Sequence, residues 1–218
     1  GQSFEGRFDA ARNCGGQRNA ALGVRREILD SILLDRARAA GARVAEGVAV
    51  TDVLRDANGR ITGVRARDGD STREFAARIV VGADGLRSVV GRRLGLIRTA
   101  RWPRRVGFAA HFAGVDGIGS TGEMHVARNG YCGLANVGGG VTNVGMAMPV
   151  RFAAGAAGDA AGFMEGWIRA HPRLAPRFAN AERVSPVLAT GPFAVHARRA
   201  WAPGAALVGD AADRLADQ

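Results

Sequence analysis

Two short stretches place an aspartate where a sugar or sugar alcohol could be held. In Val80-Val81-Gly82-Ala83-Asp84-Gly85 and Leu207-Val208-Gly209-Asp210-Ala211-Ala212, an apolar run meets glycine, then an aspartate among small residues, then a helix start. Open α/β sheets bind ligands just beyond the carboxyl ends of their strands. Glycine there admits close approach to the backbone, and a carboxylate accepts hydrogen bonds from hydroxyl groups. Each aspartate alone also has a structural role open to it, since Asp caps helices and initiates turns. Arg25 and Arg26 form a third element. They open a helix, where positive charge opposes the macrodipole at a cost of about 0.3–1 kcal/mol. A bound anion would relieve that conflict, as would the nearby Glu27 and Asp30.

Other patterns carry less. Gly117-Ile118-Gly119-Ser120-Thr121-Gly122 is formally a GxGxxG. A dinucleotide loop needs a strand before it and a helix opening at it. Here Glu123-Met124-His125-Val126 follows and reads as strand, so the run is expected to be a glycine-rich connection. His111, His125, His171 and His196 are scattered without metal-ligand spacing, and His125 reads as a structural histidine on a strand face. Ser88 lacks the GxSxG elbow of a hydrolase nucleophile.

The elements that must position these residues follow from periodicity. A helix is predicted from Arg25, with Ile28, Leu29, Ile32 and Leu33 on its apolar face and Gly41 as its stop. Val48 to Leu54 alternates as a strand, and Asn58-Gly59 is a two-residue hairpin turn leading back through Ile61, Val64 and Ala66. Asp68-Gly69 turns again into a strand from Thr72 to Ala77. Ile79 to Val81 is a short buried strand, followed by a helix from Arg87 to Leu94. Val106–Phe112, Glu123–Val126, Tyr131–Val137 and Val141–Met148 read as strands. Phe163 to Phe178 reads as an amphipathic helix broken at Pro172, and Ala206 to Val208 as a last buried strand. Residues 1–23 read as loop with a short edge strand. The fold class is therefore mixed α/β (α+β) with an antiparallel insert.

Composition narrows the function classes. The chain has 218 residues and a net charge of +10, which invites a nucleic-acid reading. All 30 basic residues are arginine, however, and this one-sided usage points to genomic composition rather than a phosphate-binding surface. The excess is densest from Arg87 to Arg105, where Trp102 is the only aromatic residue. An Arg-rich nucleic-acid-binding module is thus the weaker alternative, and no nucleic-acid partner is expected. No apolar run approaches a membrane span. Cys14 and Cys132 stand far apart in dissimilar contexts, which makes no disulfide framework and suits a reducing cytoplasm.

The two Gly-Asp stretches resemble the DG and GD motifs of flavoprotein monooxygenases with the para-hydroxybenzoate hydroxylase fold, and their order and separation of about 125 residues match that superfamily. Arg26-Glu27-Ile28-Leu29-Asp30 with Leu33 is similar to a stretch of its geranylgeranyl reductase branch. So is Gly130-Tyr131-Cys132-Gly133-Leu134 through Asn143-Val144-Gly145. The resemblance implies an FAD-dependent oxidoreductase, monooxygenase- or reductase-like, with NAD(P)H as electron donor and a small organic or isoprenoid substrate. It implies that Arg26 contacts the FAD phosphate or ribityl region and that Val50 lies beside the adenine through its backbone. Asp84 and Gly85 would hold FAD and the passing nicotinamide, with Arg87 as a supporting charge. Asp210 would bond the ribityl chain, with Gly209 and Ala211 beside it.

The implied organisation is an FAD-binding part at 1–100, a β-rich substrate subdomain at 101–196, and a return to the FAD-binding part at 197–218. The family also carries a strand–GxGxxG–helix unit ahead of the Arg26 region and an Asp-Pro stretch after the GD motif. Neither stands in these residues. Gly1 at the start and Asp213-Arg214-Leu215-Ala216-Asp217-Gln218 at the end lead to the expectation of a fragment that binds flavin weakly on its own. A truncated, non-catalytic remnant is the alternative for the chain itself.

Overall fold

Asn58-Gly59 lies in a turn between antiparallel strands, but not in the two-residue loop expected. The Asp56 amide donates to the Arg60 carbonyl and the Gly59 amide to the Asp56 carbonyl, each at 3.0 Å. The loop therefore holds Ala57, Asn58 and Gly59, of which Gly59 alone takes a positive φ, 77°. This is the first hairpin of a computed structural model that describes residues 5–6, 22–99, 104–191, 193 and 195–213. The expected loop over residues 1–23 falls almost wholly outside these. The first helix, α1, spans Arg26–Ala39, and Gly41 follows it at a φ of 90°. Strands β1 (Val48–Arg55), β2 (Ile61–Asp68) and β3 (Ser71–Ala76) make an antiparallel meander. The short β4 (Val80–Gly82) leads through a 3-10 turn at Gly85–Arg87 to helix α2 (Val89–Arg93) and β5 (Ile97–Thr99).

The middle of the chain is a sheet of long strands. It contains β6 (Arg105–Ala113), β7 (Glu123–Ala127), β8 (Gly130–Asn136) and β9 (Val141–Pro149). Helix α3 (Ala160–Ala170) packs on one face, and a 3-10 turn at Ala175–Phe178 follows it. The short β10 (Glu182–Arg183) and β11 (Leu188–Thr190) both pair with β6, giving the order β10-β6-β9-β8-β7, antiparallel throughout. The chain then returns through β12 (Val195–Ala197), which pairs with β5, then β13 (Trp201–Ala202) and β14 (Ala205–Leu207). Strand β14 lies parallel to β4, with Leu207 opposite Gly82.

Two cores result. Phe108, Phe112, Leu134, Met146, Met164 and Ile168 bury the α3 face of the large sheet. Each such side chain contributes about 1.5–3 kcal/mol by leaving water. The second core joins Val53, Ile61, Val80, Val90 and Leu96 to Leu207 and Ala211, so it closes only when the last strand meets the first ones.

Three boundaries differ from expectation. Helix α3 starts at Ala160 rather than Phe163, because Asp159 caps it by accepting from the Gly162 amide at 2.8 Å. It ends before Pro172, and the predicted continuation is the 3-10 turn holding Pro176. The segment from Arg87 to Leu94 is divided by Ser88, which is buried and caps α2 through the Gly91 amide at 2.8 Å. The predicted apolar face of α1 is largely unburied: Ile32 and Leu33 are 53% and 59% exposed, and Leu29, Leu34 and Ala37 are only half-buried.

Candidate functional site

The parallel pairing of β4 with β14 brings both Gly-Asp turns to one sheet end. Val80, Val81 and Gly82 run alongside Ala205, Ala206 and Leu207, and the Val208 amide donates to the Gly82 carbonyl at 2.9 Å. Both chains then enter 3-10 turns, at Gly85–Arg87 and Gly209–Ala212. Residues 84 and 210 thus sit beyond adjacent carboxyl ends, the place where open α/β sheets receive ligands.

The two aspartates do different things there. Asp84 is the second cap of α2: its Oδ2 accepts from the Val89 amide at 2.6 Å and the Val90 amide at 3.2 Å. The carboxylate of Asp210 is exposed and accepts no hydrogen bond from the described residues. The glycines divide likewise. A Cβ at Gly82 would lie 2.8 Å from Leu207 Cδ2 and 2.9 Å from Val90 Cβ. Gly82 is therefore required by close packing of β14 and α2, which corrects the expectation that it makes room for a ligand. Gly209 takes a φ of 57° with open space around it, and so does Gly85 at 71°. Ala211 is buried in the second core, leaving its main chain for any ligand.

The arginines are already engaged. Arg25 meets Glu27 at 2.9 Å, and Arg26 forks onto Asp30 with two bonds of 3.1 Å. The guanidinium of Arg26 is held above its ordinary pKa by the Asp30 hydrogen bond, then the Asp30 charge, and also by the charge of Asp210. Arg26 and Asp210 therefore face one neighbourhood. Arg87 is tied to another segment, its Nη2 donating to the Gly191 carbonyl at 3.4 Å.

Val50 lies on the other side of Asp84. Together with Val64, Phe75, Val80, Gly82 and Asp84 it lines an open cavity of about 340 Å³, apolar but for the aspartate. Just after Val50 the β1–β2 register slips, and this bulge at Thr51 presents its carbonyl to Arg93 Nε and Nη2 at 3.2 and 3.1 Å. The cap role of Ser88 and this bulge were missed in the sequence. A serine three residues before Gly91 was a readable signal for the first; nothing local marked the second. The formal GxGxxG of Gly117 to Gly122 leads into strand β7 rather than a helix, so it is the connection expected. Among the described residues no His, Cys, Asp and Glu cluster could hold a metal.

Residues 5–109 match a family of proteins described as FAD binding domain. Over 198 residues the chain is 30% identical to digeranylgeranylglycerophospholipid reductase 2 of Methanopyrus kandleri, covering 88% of this chain and 49% of that protein. Among solved structures, the myxobacterial chondrochloren halogenase shares the fold with a TM-score of 0.79 at 24% identity, over 89% of this chain and 46% of its own. A geranylgeranyl bacteriochlorophyll reductase-like protein of Thermoplasma acidophilum does so with a TM-score of 0.72 at 23% identity, over 86% and 47%. The chain spans about half the length of the Methanopyrus reductase. The mixed α/β fold with antiparallel sheets is that of these flavoproteins.

Residues on both sides of the β4–β14 pair suit parts of an FAD molecule. The carboxylate of Asp210, exposed and without a hydrogen bond from the described residues, suits sugar-alcohol hydroxyls, and the open backbone at Gly209 admits them. The exposed guanidinium of Arg26 suits a pyrophosphate. The apolar cleft beside Val50 suits a planar ring.

Proposed function

We propose that this chain is the cofactor- and substrate-facing part of an FAD-dependent oxidoreductase that takes electrons from NAD(P)H and acts on a small organic or isoprenoid molecule. The observation that carries it is the parallel β4–β14 pair, which sets an open Gly209-Asp210 turn beside the capped Asp84 turn. FAD bound there supplies the electron-carrying chemistry, accepting and passing on a hydride. Asp210 holds the ribityl hydroxyls, and Gly209 and the Ala211 main chain let them come close. Arg26 holds phosphate, exchanging part of its bond to Asp30 for it. The cleft beside Val50 orients the adenine, and Asp84 with Gly85 keeps the α2 terminus rigid next to it. Arg87 acts by tying this turn to Gly191.

The functional division proposed is 1–100 with 197–218 on the FAD side and 101–196 as the substrate sheet. The face of that sheet away from α3 is floored by Ala109, Gly145 and Gly133 in register, with His111 opposite Asn143 beside them. Space over Gly145 is open, so a flat apolar substrate can lie across the strands. The reductase form of the chemistry draws support from the Methanopyrus relative, whose similarity spans the FAD side and the sheet together.

The test is anaerobic mixing of the flavin-loaded protein with NADH or NADPH while the flavin absorbance is followed. Bleaching by either supports the reading. A flavin that neither reduces overturns the electron donor, and a protein that binds no FAD overturns the whole.

A further inference from the structure

On the α3 side of the large sheet, a set of ionisable side chains joins strand β7 to α3 and the turn that follows it, 54 residues on from Glu123 to Arg177. Arg177, in the 3-10 turn after α3, forks onto Glu123 of β7 with bonds of 2.6 and 2.9 Å, while its Nε donates to the Asp116 carbonyl at 2.8 Å. Glu123 Oε2 also meets His125 Nε2 at 2.9 Å. The His125 ring stands edge-on to His171 with centroids 5.8 Å apart, and His171 stacks on Trp167 of α3 at 5.4 Å. Trp167 Nε1 donates to Asn129 Oδ1 at 3.4 Å, closing the set onto the β7–β8 turn. One atom breaks the pattern: His171 Nδ1 is buried and among the described residues has no hydrogen-bond partner.

We propose that Glu123, His125, His171 and Arg177 form a proton-sensitive clasp that fastens α3 and its following turn onto edge strand β7, closed with His171 neutral and released when His171 takes up a proton. A proton on the ring is favoured only by the residue's own main chain and opposed by burial and by the neighbouring His125 and Arg173. Arg173 on the same loop also acts on it, while Arg177 with Glu123 on β7 and Asp116 make up the other end of the set. Glu123 is already shared between Arg177 and His125. On α3 itself, Glu165 is engaged by Arg183 and Arg169 and offers His171 no compensation. Release would free β7, whose outer side chains Met124 and Val126 already stand 62% and 76% exposed.

Burial, then the charges of His125 and Arg173, hold His171 below its ordinary value of 6.5. For a base so depressed, the clasp contributes fully above pH 6.5 and weakens as pH falls from there to the lowered midpoint. Each unit of depression allows about a tenfold shift in the opening equilibrium.

Residue-resolved imidazole NMR titration, with amide hydrogen exchange of α3 corrected for its intrinsic pH dependence, tests the clasp on the full chain. The expected result is a His171 midpoint below 6.5 and exchange of the Trp167 and Ile168 amides that accelerates as pH falls from 6.5 toward that midpoint and levels off below it. His171→Phe keeps the stack on Trp167 and is expected to abolish that acceleration. Acceleration that persists in His171→Phe, or a wild-type midpoint at or above 6.5, overturns the proposal. Should His171→Phe not fold, His125→Gln keeps a donor to Glu123 and removes the neighbouring imidazole. It is expected to raise the His171 midpoint and shrink the acceleration, and no change in either overturns the proposal as well.

Discussion

The Val208 amide donates to the Gly82 carbonyl at 2.9 Å, and this bond continues the parallel β4–β14 ladder to its last residue. Beyond it the two chains part, one into the turn of Asp84 and the other into the turn of Asp210. The spacing of the two carboxylates is thus set by backbone pairing, which side-chain substitution at either aspartate leaves standing.

Asp210→Ala should weaken FAD binding while leaving the fold intact, because the carboxylate is exposed and accepts no hydrogen bond from the described residues. Loss of a charge-assisted hydrogen bond is worth about 1.5–3 kcal/mol, or roughly 10- to 100-fold in affinity. Flavin fluorescence titration measures this, and an unchanged dissociation constant would remove Asp210 from the site.

Asp84 should separate capping from charge. Asp84→Ala loses both bonds to α2 and should cost about 1 kcal/mol, which lowers Tm by about 2–4 °C for a chain of this size. Asparagine caps about as well as aspartate, so Asp84→Asn should melt near the wild type. Calorimetry on the pair decides it; equal losses in both variants would show that the carboxylate's charge, not its cap geometry, matters for stability.

Gly82→Ala should be more harmful than its size suggests. The new methyl meets Leu207 and Val90 inside 3 Å, and overpacking of this kind costs about 1–3 kcal/mol. Urea midpoints of Gly82→Ala alone and with Leu207→Ala would show partial rescue in the double variant.

Acid should weaken the bond between Glu123 and Arg177. The Arg177 hydrogen bond, opposed by burial and aided by His125, holds the Glu123 carboxyl below its ordinary value of 4.5. That contribution is present above pH 4.5 and is lost as pH falls through the lowered midpoint. Glu123→Gln should therefore be less stable than the wild type by about 1–3 kcal/mol near pH 7, with the gap closing toward pH 3. Urea unfolding at the two pH values checks it.

Cys132 should resist thiol reagents in the folded protein. It is fully buried, and burial pushes its thiol up to about 12, so almost no thiolate exists at neutral pH. Peptide mapping after iodoacetamide treatment should find Cys132 labelled only once denaturant is added.

Much of this was legible from residue order. The Asn58-Gly59 hairpin, the long strands of the middle and the Gly117 to Gly122 connection all follow from local turn chemistry and alternation. Helix α3 began early because Ala160, Ala161 and Gly162 carry no apolar period, and only the Asp159 cap marks the start. The packing reason for Gly82 was hidden, since Leu207 reaches it from the far end of the chain. The same holds for the Glu123, His125, His171 and Arg177 cluster, which only the seating of the turn after α3 against β7 assembles. Asp84 carried two readings in sequence, cap and ligand holder. Its bonds to Val89 and Val90 establish the cap, and the ligand role rests on the proposal above.

The pairing of β4 with β14 also has a timetable. Strand β4 leaves the ribosome more than 120 residues ahead of its partner. At about 5–20 residues per second, it waits on the order of ten seconds with its edge unpaired. The large sheet, whose strands are all available by Thr190, is able to form during that interval. A slow step in the middle of the chain would therefore be felt first at its early end, as a longer spell in which Val80 and Val81 are open to aggregation or to a chaperone.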